Sequence, residues 1–404
     1  MRRPTVLRAI LIASCLLLSQ TTALLGQRDL RELRDRAEEG NPAAQFNLAR
    51  LYVSGTGVPQ DDLEAVRWYR LAADQGHTAA QHNLGLRYDL GSGVDEDDEE
   101  AVRWYRLAAD QGHWEAQFRL GRMYADGTGI ERNDAAAADW YRLAADQGHA
   151  EAQYSLGQMY FNGRGVARNR AEAARWVTRA ARLGNSTAQT TLASMHERGA
   201  GVPVDEALAF RWYHLAAVQG DPAAQVTLGY LYDAGTGVAE DDEEAIQWIR
   251  RAADQSNAEA QFALGNMYLN GRGVASDPSE AVRWTRLAAE QGFPRAQFNL
   301  GMSYDTGTGV EPDSAEAARW FHRAAEQGEA AAQQNLGVMY ANGDGVPRDF
   351  VTAHQWLSLA AVSLEGTSQA TATGYRDIVA QQLSPAQLAE AERRAKEWVR
   401  TPER

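Results

Sequence analysis

The sequence predicts an all-α protein, an α-solenoid superhelix of nine 36-residue helix-turn-helix repeats with helical caps at both ends. Three observations carry that prediction. Tryptophan stands at positions 68, 104, 140, 176, 212, 248, 284, 320 and 356 without a slip. In the same frame an Ala-Gln pair recurs from Ala44-Gln45 to Ala332-Gln333, with leucine three residues later from Leu48 to Leu336. Nowhere does the chain show the strict apolar/polar alternation of a half-buried strand. A length of 404 residues would ordinarily suggest two or three domains. A strict period overrides that prior in favour of one elongated array, because each repeat needs only its neighbours to bury its apolar face.

The chain opens on a segment that reads as a secretory leader over residues 1–26. Arg2, Arg3 and Arg8 precede the apolar run "AILIASCLLL" and a small-residue stretch, with cleavage expected near Ala23. Cys15, the only cysteine, lies inside this segment. The stretch Ile12 to Cys15 resembles a bacterial lipoprotein box, but the apolar run before it is short and continues beyond it. Without thiols the remaining chain suits an oxidising compartment, and it offers neither cysteine zinc sites nor thiol catalysis. Residues 27–40 fit the frame as a lone second helix, with Ala37 and Gly40 in register and Glu32 where tryptophan would stand. They are expected to cap the array.

The repeats occupy residues 41–366. In each first helix Ala44, Leu48 and Tyr52, or their equivalents, are spaced by four and share a face. Tyrosine holds the third of these positions in eight copies, and His196 replaces it in the fifth; the replacement is read as a core accommodation, with a bend in the array. Gly55 and Gly57 follow as C-cap and turn, and Gly76 closes the second helix in the same way. A phosphate-binding loop would need those glycines to lead out of a strand, which excludes that reading. The second helix starts at Asp61, Asp97, Asn133, Asn169, Asp205, Asp241, Asp277, Asp313 or Asp349, each a natural N-cap. In six copies glutamate stands three residues on (Glu64, Glu100, Glu172, Glu244, Glu280, Glu316), which predicts a capping-box-like arrangement at the positive helix end. Ala65, Trp68 and Ala72 share the buried face of this helix. The tryptophan is expected to fill the space between helices, so that truncation to alanine costs about 3–5 kcal/mol.

After Trp356 the pattern decays over residues 367–404. Gln369 keeps its place, Ala372 replaces leucine, Arg376 replaces tyrosine, and Ser384-Pro385 begins a last helix. Atypical ends of this kind keep a stacked array from aggregating through its open faces.

Charge and motifs narrow the function. The formal charge is −14, with 54 acidic against 40 basic residues and a single lysine, Lys396. Nucleic-acid binding needs the opposite balance. Beyond the leader no apolar segment reaches the roughly 20 residues that span a bilayer. His77, His113 and His149 recur in frame just after the second helix, too far apart to share a metal if each stands one repeat from the next. The runs Asp95 to Glu100 and Glu240 to Glu244 lack the spaced ligands and central glycine of a calcium loop and read as solvated helix starts. No zincin, nucleophile-elbow or Walker motif occurs, so neither catalysis nor a cofactor is expected.

The pattern A-x-x-x-L-G-x-x-Y, G-x-G-V, D-x-x-x-A and W-x-x-x-A-A closely resembles the Sel-1-like repeat, a 36-residue relative of the tetratricopeptide repeat. The resemblance covers about Asn41 to Glu365 in nine copies, and the closing "DIVAQQLSPAQLAEAERRAKEW" also looks like the tail of bacterial members. It implies an α-solenoid that acts as an adaptor or scaffold for other proteins, often exported in bacteria, with its first helices lining a concave wall. Some cysteine-rich bacterial relatives bind or hydrolyse β-lactams, but they carry paired cysteines that this chain lacks.

Comparing the nine copies with one another separates scaffold from recognition. On the first helix the positions of residues 43, 47, 50 and 54 vary, and at about 100° per residue they form one stripe opposite Ala44, Leu48 and Tyr52. That stripe carries Asn47, Arg50, Asn83, Leu86, Arg119, Arg122, Ser155, Gln158, Tyr230, Asn266, Asn299, Met302 and Asn335. These residues are the expected partner-binding surface. Asparagine and arginine can bond a peptide backbone or carboxylate, and Tyr230 and Met302 can anchor apolar groups. The leading expectation is therefore an exported, periplasmic, non-catalytic scaffold for envelope proteins. The alternatives are a glycan-binding protein using the out-of-frame Trp114, and a β-lactam or cell-wall hydrolase; a stripe that is only a solvated face is the plainest reading of the variation.

Overall fold

A computed structural model describes residues 29–398. The expected leader, its cleavage point and Cys15 lie outside the described residues. Among the described residues there are twenty-one α-helices and no strand. Helix α1 covers residues 29–38. The nine first helices are α2 (Pro42–Ser54), α4 (Thr78–Leu90), α6 (Trp114–Asp126), α8 (Ala150–Asn162), α10 (Ser186–Arg198), α12 (Pro222–Ala234), α14 (Ala258–Asn270), α16 (Pro294–Thr306) and α18 (Ala330–Asn342). The second helices are α3 (Asp62–Asp74), α5 (Asp98–Asp110), α7 (Asp134–Asp146), α9 (Arg170–Arg182), α11 (Glu206–Val218), α13 (Asp242–Asp254), α15 (Pro278–Glu290), α17 (Ser314–Glu326) and α19 (Phe350–Ser363). Helices α20 (Gly366–Ala380) and α21 (Pro385–Glu397) follow. The chain forms two compact units that divide between Pro203 and Val204, in the turn of the fifth copy. Unit one holds α1 to α10 and unit two α11 to α21. Within each unit, successive repeat helices pack on one another in chain order.

The helices begin and end for local reasons. Each second helix has its predicted Asp or Asn as N-cap, with the side chain accepting a first-turn amide; Asp241, for example, accepts from Glu244 N at 3.0 Å. The glutamates at N3 do not close capping boxes. All but Glu244, which has Gln247 three residues on, reach instead to the arginine at that place, as in Glu100–Arg103 (3.1 Å), Glu172–Arg175 (3.0 Å) and Glu280–Arg283 (3.0 Å). That partner is on the same face of the helix, and the N-cap amide that a capping box would use already donates to the carbonyl of the repeating tyrosine, Asp97 N to Tyr88 O at 3.1 Å. A true capping box forms only at α21 among the described helices, between Ser384 and Gln387. First helices end on a left-handed glycine such as Gly91, φ 61°, which satisfies the carbonyls of Arg87 and Tyr88. Two residues on, Gly93 presses against the preceding second helix: a Cβ there would fall 2.2 Å from the Asp62 carbonyl oxygen. The turn thus carries the contact between repeats.

Alanines, leucines and tryptophans form the core as expected. Leu48, Leu84, Leu120, Leu156, Leu228, Leu264, Leu300 and Leu336 are fully buried, and Trp68, Trp104, Trp176, Trp248, Trp320 and Trp356 are only 5–8% exposed. Trp140, Trp212 and Trp284 are half-buried. A guanidinium covers several of these indoles, as Arg103 does Trp104 and Arg251 does Trp248.

Two polar ladders run through the stack. Each glutamine of the Ala-Gln pair is buried. Its amide nitrogen donates to the last-turn carbonyl of the preceding second helix, Gln81 to Ala73 O at 3.1 Å, and where the following second helix ends on a glutamine its oxygen accepts from that C-cap, as Gln81 does from Gln111 at 2.6 Å. The buried amide thereby adds a second donor to an end carbonyl that already accepts from the glycine closing its helix, as Ala73 O does from Gly76 N at 2.9 Å. The repeating tyrosines lie at the rim, half-buried, rather than in the core. Where an arginine stands eighteen residues earlier the hydroxyl accepts from it, as in Arg142–Tyr160 (3.0 Å), Arg250–Tyr268 (2.7 Å) and Arg286–Tyr304 (2.8 Å); Tyr232 and Tyr340 have His214 and His322 at that place. In the fifth copy Thr178 stands in place of that arginine, and His196 in place of tyrosine. His196 is no core accommodation: it is half-exposed, with Nδ1 3.2 Å from the Pro203 carbonyl oxygen.

Candidate partner-binding face

The thirteen stripe residues stand on eight first helices, four in unit one (α2, α4, α6 and α8) and four in unit two (α12, α14, α16 and α18). None is buried, whereas the constant Ala, Gln and Leu of the same helices are. Asn47, Arg50, Arg122 and Tyr230 are exposed and the other nine are half-buried. The periodicity therefore places the stripe on the open side of these helices.

Several of these residues meet their counterparts one repeat on. Asn299 donates to Asn266 at 3.3 Å, and the Asn335 amide approaches Met302 Sδ at 3.2 Å. Gln158 donates to the Tyr154 hydroxyl at 3.0 Å, and that hydroxyl is 3.3 Å from the Thr191 Oγ1. Tyr230 lies 3.5 Å from a Glu259 oxygen, and burial and that carboxylate together push its phenol up to about 12. Arg119 and Arg122 do not stand free. Both reach Asp89 on α4, at 3.5 and 3.7 Å, and the buried Tyr105 donates to the same carboxylate at 3.0 Å. Burial first, and then the Asp89 charge, raise the Tyr105 phenol, so it stays a donor.

Three grooves open on this face. The first, about 800 Å³, lies between α2 and α4 and includes Asn47, Arg50, Asn83 and Arg87 over Leu51, Val53 and Tyr69. The second, about 270 Å³, lies between α8 and α10, with Gln158, Thr191, Ser194 and Arg198 around a floor of Val177 and Phe161. The third, about 170 Å³ and in unit two, sets Tyr230, Asn266 and Arg272 around Ile249 and Phe262. Apolar floors ringed by a few polar groups suit the side chains of a bound polypeptide.

Asp89, Tyr69 and Tyr105 were absent from the stripe read in the sequence. The position of Asp89 was legible by the same comparison of copies, since it holds Val53, Asp89, Ala125, Phe161, Glu197, Asp233, Leu269, Asp305 and Ala341. The tyrosines were not, because they stand on second helices and reach through to the first-helix face.

The recurrent histidines are N-caps of first helices. Nδ1 of His77, His113 and His149 accepts from the amides of Ala80, Ala116 and Ala152 at 3.2, 3.3 and 3.0 Å. Each ring packs against an aromatic of the preceding first helix, with centroids 4.5–4.8 Å apart: His77 stacks on Phe46 and His113 on His82, while His149 lies tilted on Phe118. Burial, helped by the charges of His113 and Arg119, pulls His82 down to about 4, and burial also lowers His113 and His149. Among the described residues no His, Cys, Asp and Glu side chains gather into a group that could hold a metal ion. No described helix is long and apolar enough to cross a membrane.

The fold and its accessible first-helix face define an α-solenoid of tetratricopeptide-like helical repeats. The Sel1 repeat model matches nine times in succession, over residues 42–77, 78–113, 114–149, 150–185, 186–221, 222–257, 258–293, 294–329 and 330–361, and the chain belongs to the Sel1 repeat family. Among solved structures it is similar to a Sel1 repeat protein from Oxalobacter formigenes, at 35% identity over 76% of this chain and 91% of that one, with a TM-score of 0.61. It is also similar to a protective antigen of uropathogenic Escherichia coli strains that displays an SLR fold, at 33% identity over 91% of this chain and 94% of that one, with a TM-score of 0.53. No curated protein matches the sequence. Sel1 repeat proteins generally mediate protein–protein interaction and are typically non-catalytic.

Proposed function

We propose that the chain is a non-catalytic scaffold of the bacterial cell envelope, exported by its leader to the periplasm, which binds partner proteins along the first-helix faces of its two units. One observation supports this above the others. The positions that differ between copies are the accessible ones and surround the grooves, while the positions that repeat are buried or cap helices. A fold that repeats its interior and varies one face has shape in common with its relatives and recognition of its own.

The test is crosslinking in the native organism with an affinity-tagged full-length chain, followed by mass spectrometry of captured proteins and of the chain's own N-terminus. Because Arg119 and Arg122 are engaged with Asp89, the informative variants are at exposed groove residues outside that cluster. Arg50→Glu and Tyr230→Ala should each reduce capture of a reproducible envelope partner while circular dichroism stays unchanged. Capture that is indifferent to both changes would overturn the binding face, and a chain retaining residues 1–26 would overturn cleavage of the leader.

A further inference from the structure

In the second copy the first-helix face carries its own carboxylate. Asp89, whose side chain is 12% exposed, receives the Tyr105 hydroxyl and lies beside the Arg119 and Arg122 guanidiniums. One repeat earlier the acceptor is missing. Val53 stands in the frame position of Asp89, and Tyr69 in that of Tyr105. Tyr69 is 2% exposed, lines the 800 Å³ groove between α2 and α4, and its hydroxyl has no hydrogen-bond partner among the described residues. The ring is packed away while the hydroxyl opens on the groove, a donor free for an acceptor that enters it.

The charges around it agree. Arg50 makes no ion pair among the described residues; its guanidinium rests over the Phe46 ring at 5.9 Å. Arg87 is tied to Asp62 at 3.1 Å and Ser92 at 3.0 Å, with its Nε buried and unpartnered. Both guanidiniums act on the Tyr69 phenol, although burial still raises it overall. No carboxylate lines this groove, in a chain whose net charge is −14. Low-dielectric walls and like-signed charges concentrate an anion there. The amides of Asn47 and Asn83 stand along the same groove, able to bond an extended backbone.

We infer that the groove between α2 and α4 binds an extended acidic segment of a partner protein, whose Asp or Glu carboxylate takes the place beside Tyr69 and Arg50 that Asp89 takes beside Tyr105 one repeat later. The inference rests on the scaffold reading and names the chemistry of the partner at one of its grooves. Bonds from a phenol and a guanidinium to a carboxylate are charge-assisted and so both stronger and more selective than bonds to an amide.

Val53→Asp supplies the missing carboxylate from within and is the decisive variant; Arg50→Gln and Tyr69→Phe each remove one donor with little change of shape. A phage-displayed random dodecapeptide library is selected on the full chain, and fluorescein-labelled synthetic copies of the enriched peptides are titrated by anisotropy. The enriched peptides should carry Asp or Glu, bind about tenfold more weakly to Arg50→Gln and to Tyr69→Phe, and fail to bind Val53→Asp. Enriched peptides without carboxylates, or acidic peptides that bind all three variants as they bind the parent, would sink the inference. If the enriched peptides respond instead to Tyr230→Ala and Asn266→Ala, this groove is discarded and the scaffold reading stands. If no peptide is enriched, both fall. Thermal melts by circular dichroism establish that each variant folds, and should Val53→Asp unfold, the two single-donor variants decide.

Discussion

Gln153 and Leu183 show how much a single residue matters inside a repeated polar ladder. In copies on either side the buried glutamine accepts from a C-cap glutamine thirty residues on, as Gln117 does from Gln147 at 2.8 Å and Gln225 from Gln255 at 2.8 Å. Leu183 stands at that place in the fourth copy, and the Gln153 Oε1 is left buried without a partner. Leu183 is 57% exposed, so little packing is lost by replacing it. Leu183→Gln should therefore stabilise the chain by about 1 kcal/mol, measured as a higher urea midpoint at unchanged slope. The gain should vanish in a Gln153→Ala background. The tryptophans make the complementary case. The Trp104 Nε1 is buried and unpartnered, so its contribution is shape and apolar area rather than hydrogen bonding. Trp104→Ala should cost about 3–5 kcal/mol and Trp104→Phe less than about half of that, by denaturant titration. Equal losses would show that the indole nitrogen does matter.

At the scale of the element, three first helices in unit one begin on a histidine where others begin on Asn or Asp. An Nδ1 that accepts a backbone amide must be unprotonated, and protonation would also place a cation at the positive end of a helix. Burial reinforces this at the stacked pair His82 and His113. In the unfolded chain histidine takes its proton near pH 6.5. In the folded chain His82 resists until about 4. Between those values the unfolded state holds more protons, so stability falls as the pH drops through this window and levels off below it. For His82 alone the loss amounts to roughly 3 kcal/mol. The frame position of His82 holds Phe46 and Phe118 in the flanking copies, so His82→Phe keeps the stack. Denaturant titrations at pH 7, 5.5 and 4.5 should show a smaller loss for His82→Phe than for the parent. Parallel curves would mean that His82 is as easily protonated folded as unfolded. Glutamates at N3 behaved differently from the sequence expectation for an equally local reason: an arginine one turn on, as in Glu64–Arg67 at 3.3 Å, offers them a full charge.

At the scale of the whole molecule, the nine copies spend their constant residues on stacking and their variable ones on grooves. The fold was legible almost throughout. The spacing of Ala44, Leu48 and Trp68, the Asp61-type caps and the Gly55-type stops each act within one or two turns of helix, and they recur nine times. The candidate face was legible as a set of positions but not as a set of partners. Arg119 and Arg122 read as free cations in the sequence and are committed to Asp89 in the fold, which moves the open cationic site from the third copy to the first, at Arg50. Tyr69 stands on a second helix and still lines a groove on the first-helix face, which its place in the repeat does not announce.

The sequence by itself determined the helices, their ends, the family and which residues face outward, because capping and periodicity are short-range properties that repetition averages free of noise. The tertiary structure alone decided which side chains meet: the glutamine ladder thirty residues apart, the arginine–tyrosine pairs eighteen apart, and the bond from Tyr105 to Asp89 sixteen apart. Those contacts join different helices, so they depend on how closely two backbones approach and which rotamers fit between them, and a period of 36 residues carries neither quantity.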